Sequence, residues 1–507
     1  MKILPAEKIR EADAYTIRHE PIPDIDLMER AATECFYWCI AQIPHEKKIY
    51  VVCGTGNNGG DGFVIARLLL LKGYSVTAIL AGSPDKLSPG CQTNYRRFSD
   101  LSGADLRILS EGREPFPEIS DQDIIIDAIF GSGLTKPAGG HSADIIRWIN
   151  RSNATIISID LPSGLFCDRT SIQDSTPAIV EADNTLTFAP AKMALFFQEN
   201  DIYLGEWKLL DIGIMEEFIQ SVDVKNFYLE ERDILMILKK RNKFAHKGTF
   251  GHSLLMCGSS GKIGAAVLAS RAALRAGAGL VTARIPSCGV NILPTSVPEA
   301  MTSCDPADDM LSTIPDLSPY TSIGIGPGIG TNPKTAAVLK LLIQDSGIPL
   351  VFYADAINIL SENKTWLGFL TPGSIFTPHP KEFERLAGKS TDQFDRNRIQ
   401  REFSVRHQCY LILKGAFSSI TTPSGQCYFN TTGNPGMATG GSGDVLTGII
   451  TGLKARGYDS LEASLLAVYI HGLAGDIALA REGSESLIAG DIITHLGTAF
   501  QSLYGKL

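Results

Sequence analysis

Apolar residues recur at helical spacing over residues 6–19 and 25–43, with the breaker Glu20-Pro21-Ile22-Pro23 between the two stretches. A short apolar run at 48–53 then leads into the turn Gly54 to Gly62 and a helical pattern over 63–73. Strand-like runs at 75–81, 124–129 and 155–159 follow, with helical segments at 90–101 and 141–152 between them. This alternation predicts a doubly wound α/β domain, a parallel sheet with helices on both faces, whose ligand crevice lies at the carboxyl ends of the strands. Periodicity fades after Ile212, and 216–227 reads as a link before a helix at 229–240. A second series begins with strands at 253–257, 280–285, 322–325 and 350–353 and helices at 264–276 and 333–344. It continues with strands at 375–377 and 410–414, a helix at 394–407, a hairpin at 419–422 and 427–429, and helices at 443–456, 460–481 and 488–504. The two series share no repeat, so the reading is two different α/β domains in tandem, 1–216 and 224–507.

The chain has 507 residues, too many for one small module, with 44% hydrophobic and 20% charged residues, an ordinary globular composition. Its formal charge is −9 with no basic block, which speaks against nucleic acid as a partner. The N-terminus is not a secretory signal, and no run approaches about 18 uninterrupted apolar residues, so no membrane span is expected. The ten cysteines contain no Cys-x-x-Cys and are expected to be buried free thiols in a reducing cytoplasm.

Glycine-rich turns carry the candidate chemistry. Gly54, Gly56 and Gly59 fit a dinucleotide fingerprint, but the second strand ends in Ala81-Gly82-Ser83 without the acid that would bind a ribose, which disfavours an NAD oxidoreductase. More distinctive are Asn57, Asn58, Gly59, Gly60 and Asp61, two amides and a carboxylate at a helix start. Turn chemistry with Asp61 as the helix cap accounts for only part of that set. Asp127 ends the third predicted strand, followed by Gly131, and Asp160-Leu-Pro-Ser163-Gly164 follows the fourth. Carboxylates and hydroxyls from adjacent strand ends would meet in one crevice and hold a cation or a polar ring.

In the second half Gly258-Ser-Ser-Gly-Lys262 is too short for a P-loop. Gly326-Pro-Gly-Ile-Gly330 and Thr377-Pro-His-Pro380 each follow a strand; His379 taken alone reads as an exposed loop histidine. The segment Asn434 to Asp444 is more telling. Its small residues Gly440-Gly-Ser-Gly443 precede a helix, whose start can hold a transferring phosphoryl group while Asp444 takes a proton from an attacking hydroxyl.

The set Asn57-Asn-Gly-Gly-Asp61, Asp127-Ala-Ile-Phe-Gly131, Asp160-Leu-Pro-Ser-Gly164 and Thr187-Phe-Ala-Pro-Ala-Lys192 resembles the NAD(P)HX epimerase family, a Rossmann-like fold, over about the first 215 residues. The resemblance implies a potassium ion at Asn58, Asp127 and Ser163. It implies substrate contacts at Asn57 to Asp61, at Gly131, Ser132, Gly133, Leu134, Thr135, Lys136 and Pro137, and at Asp160. Asp160 is the expected acid–base group, with Lys192 in support. Gly440 to Asp444 resembles the anion hole of the ribokinase-like superfamily. With His246-Lys-Gly-Thr249, Gly326 to Gly330, Thr377 to Pro380 and Lys414-Gly-Ala416, it is more narrowly similar to ADP-dependent NAD(P)HX dehydratase over about 225–507. That likeness implies hydrate contacts at Ala265, Gly328, His379 and Asp444, and AMP contacts at Lys414, Gly415, Ala416, Phe417, Ser418 and Gly443, with Mg2+ accompanying the nucleotide. The usual Gly-Glu-Met after the His-Pro is here Lys381-Glu-Phe383.

The fused order resembles bifunctional NAD(P)H-hydrate repair enzymes, which implies repair of hydrated NADH and NADPH at the expense of ADP, with a homo-oligomer expected. A ribokinase-like kinase releasing a stable phosphoester, fused to a non-catalytic binding module, is the alternative.

Overall fold

The computed structural model describes residues 1–110, 116–172 and 177–506. It divides into two compact units, Met1–Val224 with Asp392–Phe394, and Lys225–Thr391 with Asp395–Leu507.

The first unit is built on seven parallel strands: β1 (Lys48–Cys53), β2 (Ser75–Ala81), β3 (Asp105–Leu109), β4 (Ile124–Ala128), β5 (Thr155–Ile159), β6 (Asn184–Phe188) and β7 (Glu206–Leu210). Their order is β3-β2-β1-β4-β5-β6-β7. The order in which successive strands are added therefore reverses between β1 and β4, where such sheets open a crevice. Helices α1 (Ala6–His19), α2 (Asp24–Gln42), α3 (Asn57–Leu71), α4 (Pro89–Ser99) and α5 (Gly140–Arg151) flank the sheet. Alternate residues of β1 divide between two apolar layers: Ile49, Val51 and Cys53 pack with Phe63 and Ile65 of α3, Tyr50 and Val52 with Ile145 and Ile149 of α5. Burial on both faces is why these strands read as continuous apolar runs.

Three strands of this sheet escape the sequence pattern, as do β8 (Asn226–Tyr228) and β11 (Met301–Cys304) of the second unit. β3, β6 and β7 carry two or three polar residues among their five, so Asp127 lies in the fourth strand and Asp160 follows the fifth, not the third and fourth. The β1, β4 and β5 ends are nonetheless adjacent, as expected.

The second unit holds a ten-stranded sheet. Its strands are β8 (Asn226–Tyr228), β9 (His252–Met256), β10 (Leu280–Ile285), β11 (Met301–Cys304), β12 (Ser322–Ile325), β13 (Leu350–Phe352), β14 (Ile375–Phe376), β15 (Tyr410–Leu413), β16 (Ser419–Thr421) and β17 (Cys427–Phe429). The order is β11-β10-β9-β12-β13-β14-β15-β16-β17-β8, parallel except where β16 pairs with β15 and β17. The expected link at 216–227 is not a bare connection: Glu216–Ser221 is helical, and β8 pairs with β17 at the sheet edge. Ile219 is buried, and Lys2 Nζ donates to Gln220 O at 2.6 Å, so that helix completes the first unit.

Helix Ser460–Glu482 is long and apolar enough to cross a membrane by length and composition, although 67% of its most apolar stretch is buried inside the structure. The ten cysteines are free; eight are buried, while Cys288 is half-buried and Cys304 exposed, contrary to the expectation that all would be buried.

Candidate active sites at the carboxyl edges of two sheets

In the first unit a cleft of about 740 Å³ opens at the β1, β4 and β5 ends. Helix α3 begins at Asn57, so the Asn-Asn-Gly-Gly-Asp run lies inside its first turns instead of in a turn before it. Gly56 is the N-cap and Asp61 the fifth helical residue, so Asp61 does not cap the helix. Gly59 is required by close approach: a Cβ there would strike the carbonyl oxygen of Gly54. The strand and helix are thus held tight enough to present Asn57, Asn58 and Asp61 to the cleft. Asn57 Oδ1 accepts from Ser88 Oγ at 2.8 Å, and Asn58 Nδ2 donates to Ile159 O at 3.3 Å.

Asp160 adopts φ of +69°, a left-handed backbone that a non-glycine residue takes only where its surroundings enforce it. Its Oδ1 lies 2.8 Å from Lys192 Nζ, and its Oδ2 accepts from Ser132 N at 2.6 Å. Lys192 is 1% exposed and also donates to Thr187 Oγ1 and Phe188 O. Burial alone would raise the Asp160 carboxyl, but Lys192 and the Ser132 hydrogen bonds overcome it and hold the group below the usual carboxylate range. A Cβ on Gly131 would sit 2.5 Å from Asp160 Oδ2 and 3.2 Å from Asn58 Oδ1, so three separate motifs meet at this glycine. Gly131 to Pro137 line the cleft as a loop, anchored where Arg10 donates to Gly133 O and Arg169 to Thr135 O.

Asp127 is fully buried beside Ser158 in register, at the base of the site. Its carboxylate accepts from Ser158 Oγ (2.8 Å), Ser163 N (2.9 Å), Ser163 Oγ (2.6 Å) and Ile129 N (3.2 Å). Burial raises this carboxyl more than those bonds lower it. The structure brings Asp127 and Ser163 into direct contact; Asn58 reaches the same region from α3, and neither Asp127 nor Ser163 lines the cleft.

Sequence reasoning missed Asp13. It projects into the cleft from α1 together with Ile9 and Arg10. Burial, then the charge of Asp160, push its carboxyl up to about 7. Asp61 is also pushed well up, by burial and then by Asp160 and Asp13. Positions 9, 10 and 13 share one helix face, a spacing legible in the sequence, but nothing in a lone N-terminal helix says what it covers.

In the second unit the candidate residues gather at the ends of β9, β12, β13, β14 and β15. Helix Ser442–Ala455 starts from Gly441 at φ of +93°, with Asp444 as its third residue. Gly443 packs against Tyr353, whose ring a Cβ there would overlap. Burial raises Asp444 to about 6, with Lys414 opposing and Asp355 adding to the effect. Lys414 is pushed down to about 8 by burial, against the pull of Glu382 and Asp444, and sits 4.4 Å over the Tyr353 ring. Gly415, Ala416, Phe417 and Ser418 form the turn after β15, closed by Ser418 Oγ on Gly415 O at 3.1 Å. Gly328 and Ala265 are neighbours, a Cβ on the first falling 3.2 Å from the second.

His379 is not a plain loop histidine. It caps helix Pro380–Ala387, its Nδ1 accepting from Lys381 N and Glu382 N while Nε2 faces Glu382 at 3.4 Å. Burial lowers the imidazole, which therefore stays neutral at physiological pH. Phe383, the departure from the expected Met, is core: it is 1% exposed and meets Phe403 edge-on. Asp355, accepting from Gly330 N at 2.8 Å, and His471, half-buried against Ser442 O at 3.1 Å, were not foreseen.

Two family models match the chain. One, described as YjeF-related protein N-terminus, covers residues 24–194; the other, NAD(P)H-hydrate dehydratase, covers 253–496. The chain is 35% identical to the bifunctional NAD(P)H-hydrate repair enzyme of Moorella thermoacetica, over 99% of this chain and 97% of that one. It is 35% identical to the enzyme of that name in Coxiella burnetii, over 96% and 97%. Among solved structures, the ADP/ATP-dependent NAD(P)H-hydrate dehydratase of Bacillus subtilis, co-crystallised with ATP and Mg2+, is 29% identical with a TM-score of 0.48, over 55% of this chain and 98% of that one.

Proposed function

We infer, for a chain that belongs to the family of bifunctional NAD(P)H-hydrate repair enzymes, a division of labour in which each unit carries one of the two activities. The first unit epimerises the hydrated nicotinamide ring, and the second dehydrates it; together they perform metabolite repair. Hydration leaves a hydroxyl on ring carbon C6 in two epimers, and hydroxide is a poor leaving group. In our reading the second unit converts it to a good one. Asp444 takes the proton of the C6 hydroxyl as the terminal phosphoryl group of ADP is transferred to it, and the N–H groups at the start of helix Ser442–Ala455 stabilise the charge in flight. AMP is left by that transfer; phosphate then departs from C6 as the N1 lone pair forms C6=N1, and loss of a C5 proton to water returns the pair to N1 and restores NADH or NADPH. Lys414 and the turn to Ser418 hold the nucleotide, and Ala265, Gly328 and His379 hold the hydrate. Asp355 and Asp444 are hard carboxylate donors suited to Mg2+, which would supply charge compensation for the phosphates.

In the first unit Asp160, ionised by its Lys192 partner, exchanges protons with the hydroxyl under inversion. The proposed potassium site at Asn58, Asp127 and Ser163 offers oxygen donors alone, the chemistry of a hard ion. Asp127 is a buried carboxylate with no ion-pair partner among the described residues, which favours a cation; its four hydrogen bonds mean that an ion in direct contact displaces at least one donor. Bound there, K+ would supply positive charge at the base of the cleft.

The observation that carries the dehydratase reading is the Asp444 carboxyl, raised by burial to about 6, at a glycine-built helix start. Product analysis tests it. One AMP and one phosphate per NADH formed from the S hydrate is expected with ADP; a stable phosphoester, or NADH formed without nucleotide, would refute it.

A further inference from the structure

We propose that Asp13 is the second acid–base group of the epimerase cleft, serving the C6 hydroxyl from the helix side while Asp160 serves it from the strand side. This rests on the epimerase reading of the first unit. Helix α1 is fixed in place by Ala6 N on Asp168 Oδ2 at 2.7 Å, by Arg10 on Gly133 O at 3.2 Å and by Thr16 Oγ1, which accepts from Met215 N at 3.1 Å. Asp13 is thus delivered to the cleft by a rigid element. Asp160 is paired with Lys192 and Ser132, one partner on each oxygen, whereas the Asp13 carboxyl makes no hydrogen bond or ion pair among the described residues. A half-buried carboxyl aimed into a cleft without a protein partner is an unmet hydrogen-bonding demand that a ligand hydroxyl satisfies.

Inversion at a carbon that bears both nitrogen and hydroxyl needs a proton delivered on one face and removed on the other. The C6–O bond breaks as the N1 lone pair forms a C6=N1 bond, and a proton from one carboxyl lets the oxygen leave as water. Water then adds to the opposite face, the C6=N1 pair returns to nitrogen, and the other carboxylate takes the released proton. Solvent exchange resets the pair, and no co-reactant is consumed. The groups facing Asp13 are Asp160 and Lys192 from the strand side, Asp61 of α3, Asp24 at the start of α2, and Arg10 on its own helix. Asp24 is exposed at its helix start, and Asp61 is pushed up in the same direction as Asp13; Asp13 on α1 and Asp160 on the strand side are a pair pushed apart in opposite directions.

The active form is then the singly protonated pair, so epimerisation should fall as pH rises through about 7, where Asp13 loses its proton. The test follows epimer interconversion in the full-length chain across pH, with dehydration of the S hydrate as a control in the other unit. Asp13→Asn should lower kcat about 10²-fold or more with little change in KM, and abolish the alkaline limb. Asp13→Glu should recover part of the rate together with the limb. Wild-type rate in Asp13→Asn, or a slower rate with the limb unchanged, overturns the proposal; so does a wild-type profile flat between pH 6 and 8 by itself, which needs no variant to fold. A wild-type chain that does not epimerise at all would instead overturn the reading of the unit, and the proposal with it.

Discussion

Lys192→Met removes the positive charge that Asp160 faces at 2.8 Å while keeping most of the side-chain volume. Lys192 is 1% exposed and the Asp160 side chain 11%, so solvent cannot replace the lost partner. Removing one member of a buried pair costs about 3–5 kcal/mol. At about 2–4 °C per kcal/mol for a unit of this size, the first unit should melt roughly 6–20 °C lower. The loss depends on pH. In the wild type the lowered Asp160 carboxyl contributes stability that is present above the ordinary carboxylate range and is lost as pH falls through its folded value. In the variant, burial and the nearby Asp13 and Asp61 push that carboxyl above the ordinary range, so stability declines as pH rises. The gap between the two proteins should therefore widen from pH 5 to pH 8, and epimerisation should fall while dehydration persists. Calorimetry at both pH values is the assay. A gap under about 2 °C, or one that narrows as pH rises, would refute the reasoning.

Asp444→Asn should abolish nucleotide-dependent dehydration, a loss of about 10²-fold to 10⁴-fold, with epimerisation intact in an epimer-resolving assay. Wild-type dehydration should show a bell-shaped pH profile, rising through about 6 as Asp444 ionises and falling above about 8 as Lys414 loses its proton; a flat profile would remove both from the mechanism. Asp127→Ala should impair epimerisation and its response to added potassium, leaving dehydration unchanged; equal rates with and without potassium in the wild type would remove the ion. A fragment ending at 224 should unfold at a higher temperature than one ending at 216, because the shorter one loses helix Glu216–Ser221 and the Lys2 hydrogen bonds to Gln220 and Val222.

The strands buried on both faces were legible because they are continuous apolar runs, and β1 and β2 begin and end where the pattern places them. Strands β3, β6 and β7 were not, since Arg107, Thr187 and Lys208 interrupt the apolar signal and only sheet neighbours decide such cases. Helix starts were displaced for a related reason. Asn57 to Gly60 and Ser442 are poor helix formers, and it is tight packing of Gly59 on Gly54 and of Gly443 on Tyr353 that selects the helix. Within the sites, motif residues at strand ends were visible because glycine and acid cluster in sequence. Asp13, Asp355 and His471 stand alone in their segments and acquire meaning only from the groups that the fold sets beside them. His379 shows the reverse: its motif was visible, but its capping of helix Pro380–Ala387 was not, because a cap is recognised only once the helix is known.

Recovery of NADH absorbance from an equal mixture of R and S hydrates tests the central claim most directly, with full-length wild type, Asp160→Asn and Asp444→Asn compared in the presence of ADP. The wild type should restore all of the NADH in one fast phase. Asp160→Asn should stop near half before a slow spontaneous phase, and Asp444→Asn should restore none. Wild-type recovery that halts at half, or that proceeds equally well without nucleotide, would contradict the account.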